Sequence, residues 1–152
     1  MTLYQEALDT LDALYAMIPR IACQGSCTWS CGPLALSYLE RLRLQRTTGR
    51  KLQGVTSALC PLLKEGQCTA YGLRPLICRA WGAVESMACP YGCVPDRYLT
   101  VSELHALLHT VEEVSQTLFP RQGTCSLHAD AVILQAQEQA AAHLCHDLWG
   151  VG

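Results

Sequence analysis

Eight of the ten cysteines in this chain fall between positions 23 and 93, at Cys23, Cys27, Cys31, Cys60, Cys68, Cys78, Cys89 and Cys93. Cysteines serving only as small buried apolar residues would scatter along the core-facing stripes of the whole chain. Thiols gathered at close spacing either cross-link or bind, and the redox compartment decides which. The opening residues MTLYQEALDTLDALY carry Glu6, Asp9 and Asp12 and no basic residue. A secretory leader or transit peptide needs the reverse. The expectation is therefore a cytoplasmic, reducing setting in which the clustered thiols are metal ligands or redox groups. No stretch approaches the ~18 consecutive apolar residues of a membrane span, so no membrane partner is expected.

Charge is partitioned in the same way. Residues 1–19 hold three acids and no base, residues 20–98 hold ten Lys/Arg against four Asp/Glu, and residues 99–152 hold one base against six acids. Each metal-binding thiolate adds a negative charge that formal counting omits. A basic middle segment is what a thiolate-rich centre needs around it. Five of those bases, Arg41, Arg43, Arg46, Arg50 and Lys51, lie within eleven residues. They read first as a solvated helix end and second as a docking patch for an acidic protein partner. Nucleic acid is the less favoured partner.

At 152 residues, with 50% hydrophobic and 16% charged side chains, the chain can bury one core and is not of disordered type. The expected architecture is mostly α: one domain over residues 1–152, with about four helices packed on a turn-rich, metal-stapled cysteine segment at about 20–98. Leu3, Tyr4, Ala7, Leu8, Leu11, Leu14, Tyr15 and Ile18 repeat at three and four residues, predicting a helix over 3–18 with Thr2 as its cap and Pro19 as its stop. A second is expected from Gly32-Pro33 to about Arg46, with Gly49 beyond its end. A third opens at Thr100 or Ser102, where Thr100 and Glu103 have capping-box spacing, and stops at Pro120. A fourth is expected from Ser126 to about Trp149, closed by Gly150.

Between Gly49 and Leu99 the periodicity fails. Four of the seven prolines lie here, and prolyl or glycyl turns surround nearly every cysteine. Some fifty residues without regular structure cannot be a free loop in a compact domain. Metal–thiolate bonds are the expected staple.

The cysteines form three groups. The first reads Cys23-Gln-Gly-Ser-Cys27-Thr-Trp-Ser-Cys31. The second holds Cys60-Pro61-Leu62-Leu63, then Cys68-Thr69-Ala70-Tyr71, then Arg74-Pro75-Leu76-Ile77-Cys78-Arg79. The third is Cys89-Pro90-Tyr91-Gly92-Cys93. In order and spacing, the second group resembles the CxxCxxCC cysteine-cluster proteins, a zinc- or iron-chelating domain. The likeness spans roughly residues 20–95, and the flanking helices carry none. The first group departs from the family pattern, because Ser30 stands where a further cysteine of the motif would be. The resemblance implies metal ligation by cysteine. The flagellin lysine methylases look similar in this motif and are associated with an iron–sulfur cluster.

Structural zinc sites draw most often on C-x2-C pairs; here every short pair is C-x3-C. The Cys-Pro steps match a pattern found beside iron–sulfur ligands. The metal ligands are expected among Cys23, Cys27, Cys31, Cys60, Cys68 and Cys78, with Cys89 and Cys93 in second place. The expected cofactor is an iron–sulfur cluster, [4Fe–4S] by thiolate number, with zinc as the alternative. Such a centre serves electron transfer, sensing or delivery. The other classes left open are an enzyme using the centre in redox or group-transfer chemistry and a structural zinc site in an interaction module. Arg79, beside Cys78, is expected to support the centre, either by donating towards a sulfur or by locking the ligand loop.

Other candidates read as ordinary structure. Cys145 shares an apolar helix face with Ala141, Leu144 and Leu148, and Cys125 sits in a Gly-Thr-Cys-Ser turn. His105 and His109 are four apart but lack the glutamate of an H-E-x-x-H site. His143 and His146 suit a helix C-terminus. No phosphate loop, dinucleotide fingerprint, nucleophile elbow or kinase signature is present.

Overall fold

The computed structural model describes residues 1–23, 25, 28, 31, 36–52, 60–120 and 137–138. Cys27, Cys125 and Cys145 lie outside the described residues. The fold is mostly α, with one two-stranded sheet.

Helix α1 spans Leu3–Ala16, and the Thr2 side chain accepts a hydrogen bond from the Gln5 N–H at its start. Its inward face is Ala7, Leu11 and Tyr15. The apolar repeat runs on to Ile18, yet Met17 and Ile18 fold back on Leu14 and Tyr15 through tighter backbone bonds ahead of Pro19. Helix α2 spans Tyr38–Thr48 and ends on Gly49 in the left-handed conformation, φ 68°. Its start differs from the expectation. Leu36 and Ser37 are not helical, so Pro33 is not the first residue of this helix, and residues 32–35 lie outside the described residues. The start is set instead by Ser37, whose hydroxyl accepts from the Glu40 N–H at 3.2 Å. A side chain that satisfies an orphan N–H outweighs the mere permissiveness of a proline.

Helix α4 spans Val101–Leu118 and opens on the expected capping box. The Glu103 N–H donates to Thr100, and the Glu103 carboxylate accepts from the Thr100 N–H. That carboxyl is held below the usual range by these backbone and Arg97 hydrogen bonds. The buried face is Leu104, Leu107, Val111 and Ser115. Of the expected fourth helix, Ser126–Trp149, only Gln137 and Glu138 are described, and both are helical.

The middle segment is more ordered than its sequence suggests. Strands β1, Leu63–Lys64, and β2, Gln67–Cys68, pair antiparallel with Leu63 opposite Cys68. The connecting residues Glu65 and Gly66 both have positive φ, at 51° and 76°, as a tight two-residue hairpin of type I′ requires. A short helix α3 follows at Leu76–Ala80, with single 3₁₀ turns at Tyr71–Leu73 and Glu85–Met87. The chain then returns by two isolated bridges, Ile21 with Pro95 and Val84 with Leu99.

Two apolar clusters result. The larger joins Leu11 of α1, Leu39 at the start of α2, Leu76, Ile77 and Ala80 of α3, Val84, Met87, and Leu104 and Val111 of α4. Among the described residues the smaller holds Leu44, Leu52, Leu62 and Ala70, with Cys60 and Cys68 packed against it. Helix α4 touches α1, α2 and α3, and its buried Ser115 hydroxyl accepts from the Leu39 N–H at 3.1 Å. Residues 76–87 are thus also held by packing in the main core. A run that shows no helical period across fifty residues still contributes Leu76, Ile77, Ala80, Ala83, Val84 and Met87 to the core, because one helical turn and two bends are too short to print a repeat. Among the described residues no helix is long and apolar enough to cross a membrane.

Candidate metal centre

The second cysteine group is drawn together by ordinary backbone chemistry. The Cys60 N–H donates to the Cys31 carbonyl at 2.8 Å, tying the first group to the second across 29 positions of sequence. The Cys60 carbonyl in turn accepts from the Leu63 N–H at 3.0 Å, closing a turn over Cys-Pro-Leu-Leu. Pro61 suits this turn because its φ is preset and no donor is needed there. Thr69 closes the far side, giving both its N–H and its hydroxyl to the Leu62 carbonyl, at 2.9 and 2.7 Å. The hairpin thereby sets Cys60 before its first strand and Cys68 at the end of its second, against the same apolar cluster.

Electrostatics shows which thiols share a neighbourhood. Burial pushes the Cys78 thiol far above its ordinary value, and the Cys60, Glu40 and Cys31 charges add to that rise. Burial likewise raises the Cys60 thiol, with Cys68 contributing, while hydrogen bonding from the Leu62 and Leu63 backbone pulls it back. Cys78 therefore lies in the field of Cys60 and Cys31, and Cys60 in that of Cys68. Backbone N–H groups aimed at a sulfur favour its thiolate, and the loop after Cys60 supplies two. Sulfur is also a backbone acceptor at Cys23, which takes the Gly25 N–H at 3.3 Å.

Cys23, Cys89 and Cys93 stand in a different setting. Ile21, two residues before Cys23, bridges Pro95, two residues beyond Cys93, and the Asp96 N–H donates to the Arg20 carbonyl at 3.2 Å. Gly82 lies between the Ile21 side chain and the Cys89 Cβ; a Cβ at Gly82 would come 2.6 Å from the Ile21 Cδ1 and 3.7 Å from the Cys89 Cβ. The seven described cysteines are each half-buried. Among the described residues no group of three or more His, Cys, Asp or Glu side chains stands as a preformed site for a metal ion.

Arg79 is placed by its planar fork. Its Nε donates to the Arg74 carbonyl at 2.7 Å and one terminal nitrogen to the Gly72 carbonyl at 2.8 Å. These two bonds fasten the 72–74 turn onto α3, so Arg79 grips the loop that precedes Cys78. The guanidinium also lies over the Tyr15 ring, 4.6 Å from its centroid. Arg74 stacks on Tyr71 at 3.7 Å. The other arginines of the basic run have partners within the chain. Arg43 makes a bidentate pair with Asp12 at 2.7 and 3.2 Å, Arg46 lies over Tyr4, Arg41 over Tyr38, and Arg50 donates to the Pro61 carbonyl. On α4 the rings of His105 and His109 stack, and His109 pairs with Glu113.

Glu40 is the residue that sequence reasoning missed. It is only 4% exposed, although a lone acid among arginines reads as a solvated helix residue. Its Oε1 accepts from the Tyr15 hydroxyl at 2.9 Å and from the Leu76 N–H at 2.8 Å, and its Oε2 accepts from the Ser37 hydroxyl at 3.0 Å. Three donors make a buried carboxylate tolerable, since bonds to a charged group contribute roughly 1.5–3 kcal/mol each. Burial and the neighbouring carboxylate hold the Tyr15 phenol above its usual range, so it remains a donor. The available signal was Ser37-x-x-Glu40, which has the capping-box spacing.

No family model, no curated protein and no solved structure matches this chain.

Proposed function

We propose that this chain holds a metal centre through the thiolates of Cys31, Cys60, Cys68 and Cys78, that the centre is an iron–sulfur cluster, and that the chain stands with the CxxCxxCC cysteine-cluster proteins it resembles. The observation that carries this is the backbone bond from the Cys60 N–H to the Cys31 carbonyl, which joins the first and second cysteine groups, with Cys60 and Cys68 set by the hairpin against one apolar cluster and Cys78 in the field of Cys60 and Cys31. The donor set is thiol, the ligand type for iron–sulfur clusters and zinc. The C-x3-C spacings and the Cys-Pro steps favour the cluster. A bound cluster supplies one-electron redox chemistry, for electron transfer, sensing or delivery. The chain's own part is to hold four sulfurs, to turn backbone donors towards Cys60, to set Arg74 where its charge offsets that of Cys78, and to lock the loop before Cys78 with Arg79. Without a metal, burial keeps Cys78 and Cys60 protonated, so loading the centre releases protons.

Anaerobic reconstitution with iron and sulfide, followed by absorption spectroscopy and iron, sulfide and zinc analysis, tests this. The expected result is a sulfur-to-iron absorption band that Cys60→Ser and Cys78→Ser abolish and Cys125→Ser leaves intact. Zinc in place of iron and sulfide would assign a structural zinc site. Loading that survives both substitutions would overturn the ligand set.

A further inference from the structure

The buried carboxylate of Glu40 has more partners than a helix cap needs, and they belong to three different elements. Tyr15 comes from α1, Ser37 from the start of α2, and the Leu76 N–H from the first turn of α3. That turn carries Cys78 two residues further on. Pro75, which precedes it, makes no side-chain cap, so the Leu76 N–H would be an orphan donor without Glu40. The opposite end of the same short helix is held through the same phenol. Arg79 lies over the Tyr15 ring while bonding back to Gly72 and Arg74. A five-residue helix has little stability of its own, so the direction in which it presents Cys78 is set by what grips it.

We infer that Glu40, braced by Tyr15, is a positioning residue for the Cys78 thiolate, fixing α3 so that this sulfur faces those of Cys31 and Cys60. This rests on the proposed ligand set and deepens it. A carboxylate is suited to the task because one oxygen accepts two hydrogen bonds at once, from a side chain and from a backbone. Its charge lies in the field of Cys78, against the interest of a thiolate. The geometric gain is thus obtained in spite of an electrostatic cost, and a neutral side chain of the same shape should position Cys78 equally well.

Two readouts test it, with circular dichroism confirming native helicity. The first is cobalt(II), whose sulfur-to-metal charge-transfer band scales with the number of thiolate ligands. Glu40→Ala should lose about a quarter of the band, one ligand of four, and Glu40→Gln should restore it. The second is the alkylation rate of Cys78 in the metal-free chain, relative to Cys89. Glu40→Ala should raise it by about tenfold as α3 opens locally, and Glu40→Gln should not. Should Glu40→Ala lose helicity, Glu40→Asp and Tyr15→Phe decide on the same readouts, both expected to fall between Ala and wild type. A natively helical Glu40→Ala with an unchanged band and rate overturns the inference, as does a Glu40→Gln that behaves like alanine. If the wild-type chain takes up neither cobalt nor iron and sulfide, the metal centre is refuted on its own, and the alkylation rates alone judge Glu40.

Discussion

The two halves of the middle segment, residues 60–73 and 76–87, are both short on regular structure but are held by different forces. In the second half Leu76, Ile77, Ala80, Ala83, Val84 and Met87 are each no more than 1% exposed and lie in the main core. In the first half only Leu62 and Ala70 are buried, in a cluster of four that includes nothing from α1 or α4. Cys78 therefore stands on the main core, while Cys60 and Cys68 ride on a hairpin packed, among the described residues, against the smaller cluster. A proposed centre built this way has one ligand anchored in the core and two on the hairpin, with Cys31 tied to the hairpin side through the Cys60 N–H.

The largest effect expected is on the core side. Leu76→Ala removes a fully buried side chain and should cost ~2–5 kcal/mol, read from urea unfolding at constant slope. Leu62→Ala should cost less in the metal-free chain, and equal losses would erase the distinction between the halves. Next is removal of the proposed centre. Chelation should speed amide exchange at residues 60–73 by on the order of 100-fold while leaving residues 76–87 protected. Uniform loss across both halves would mean that the core does not stand alone.

Acidity separates the halves as well. Cys78, Cys60 and Tyr15 are all raised on folding, so the folded chain keeps protons that the unfolded chain gives up. Their stabilisation is complete below the unfolded thiol value of ~8.5 and is lost as pH rises above it towards the folded values. The metal-free chain should lose up to ~1.4 kcal/mol per pH unit for each such thiol. Cys78→Ser should remove that slope over a wider pH range than Cys60→Ser, as the core-side thiol is pushed further; a wider range at Cys60 would reverse the comparison. The smallest effect concerns the hairpin turn. Glu65 occupies a left-handed position that asparagine tolerates better. Glu65→Asn should gain ~0.5–1 kcal/mol of hairpin stability, slowing exchange in residues 60–73 and nowhere else.

Local signals in the chain were enough for α1, the α4 capping box, the glycine at the end of α2 and the mostly α class, because each depends on contacts within four residues. The thiols are visible for the same reason: spacing is a property of the chain alone, and the Cys60-Pro-Leu-Leu turn folds upon itself. What the tertiary structure decided is that the Cys60 backbone meets that of Cys31, and that, among the described residues, a stretch without a printed period supplies much of the core. It also decided that Glu40 leaves solvent to join three elements. The carbonyl of Cys31 meets the N–H of Cys60, and Oε1 of Glu40 meets the N–H of Leu76. Both are bonds between residues about thirty or more positions apart, and no helical or strand period records a partner at that distance. Burial reverses the meaning of a charged residue only when the groups that satisfy it arrive from elsewhere, and that arrival is a fact of packing rather than of sequence.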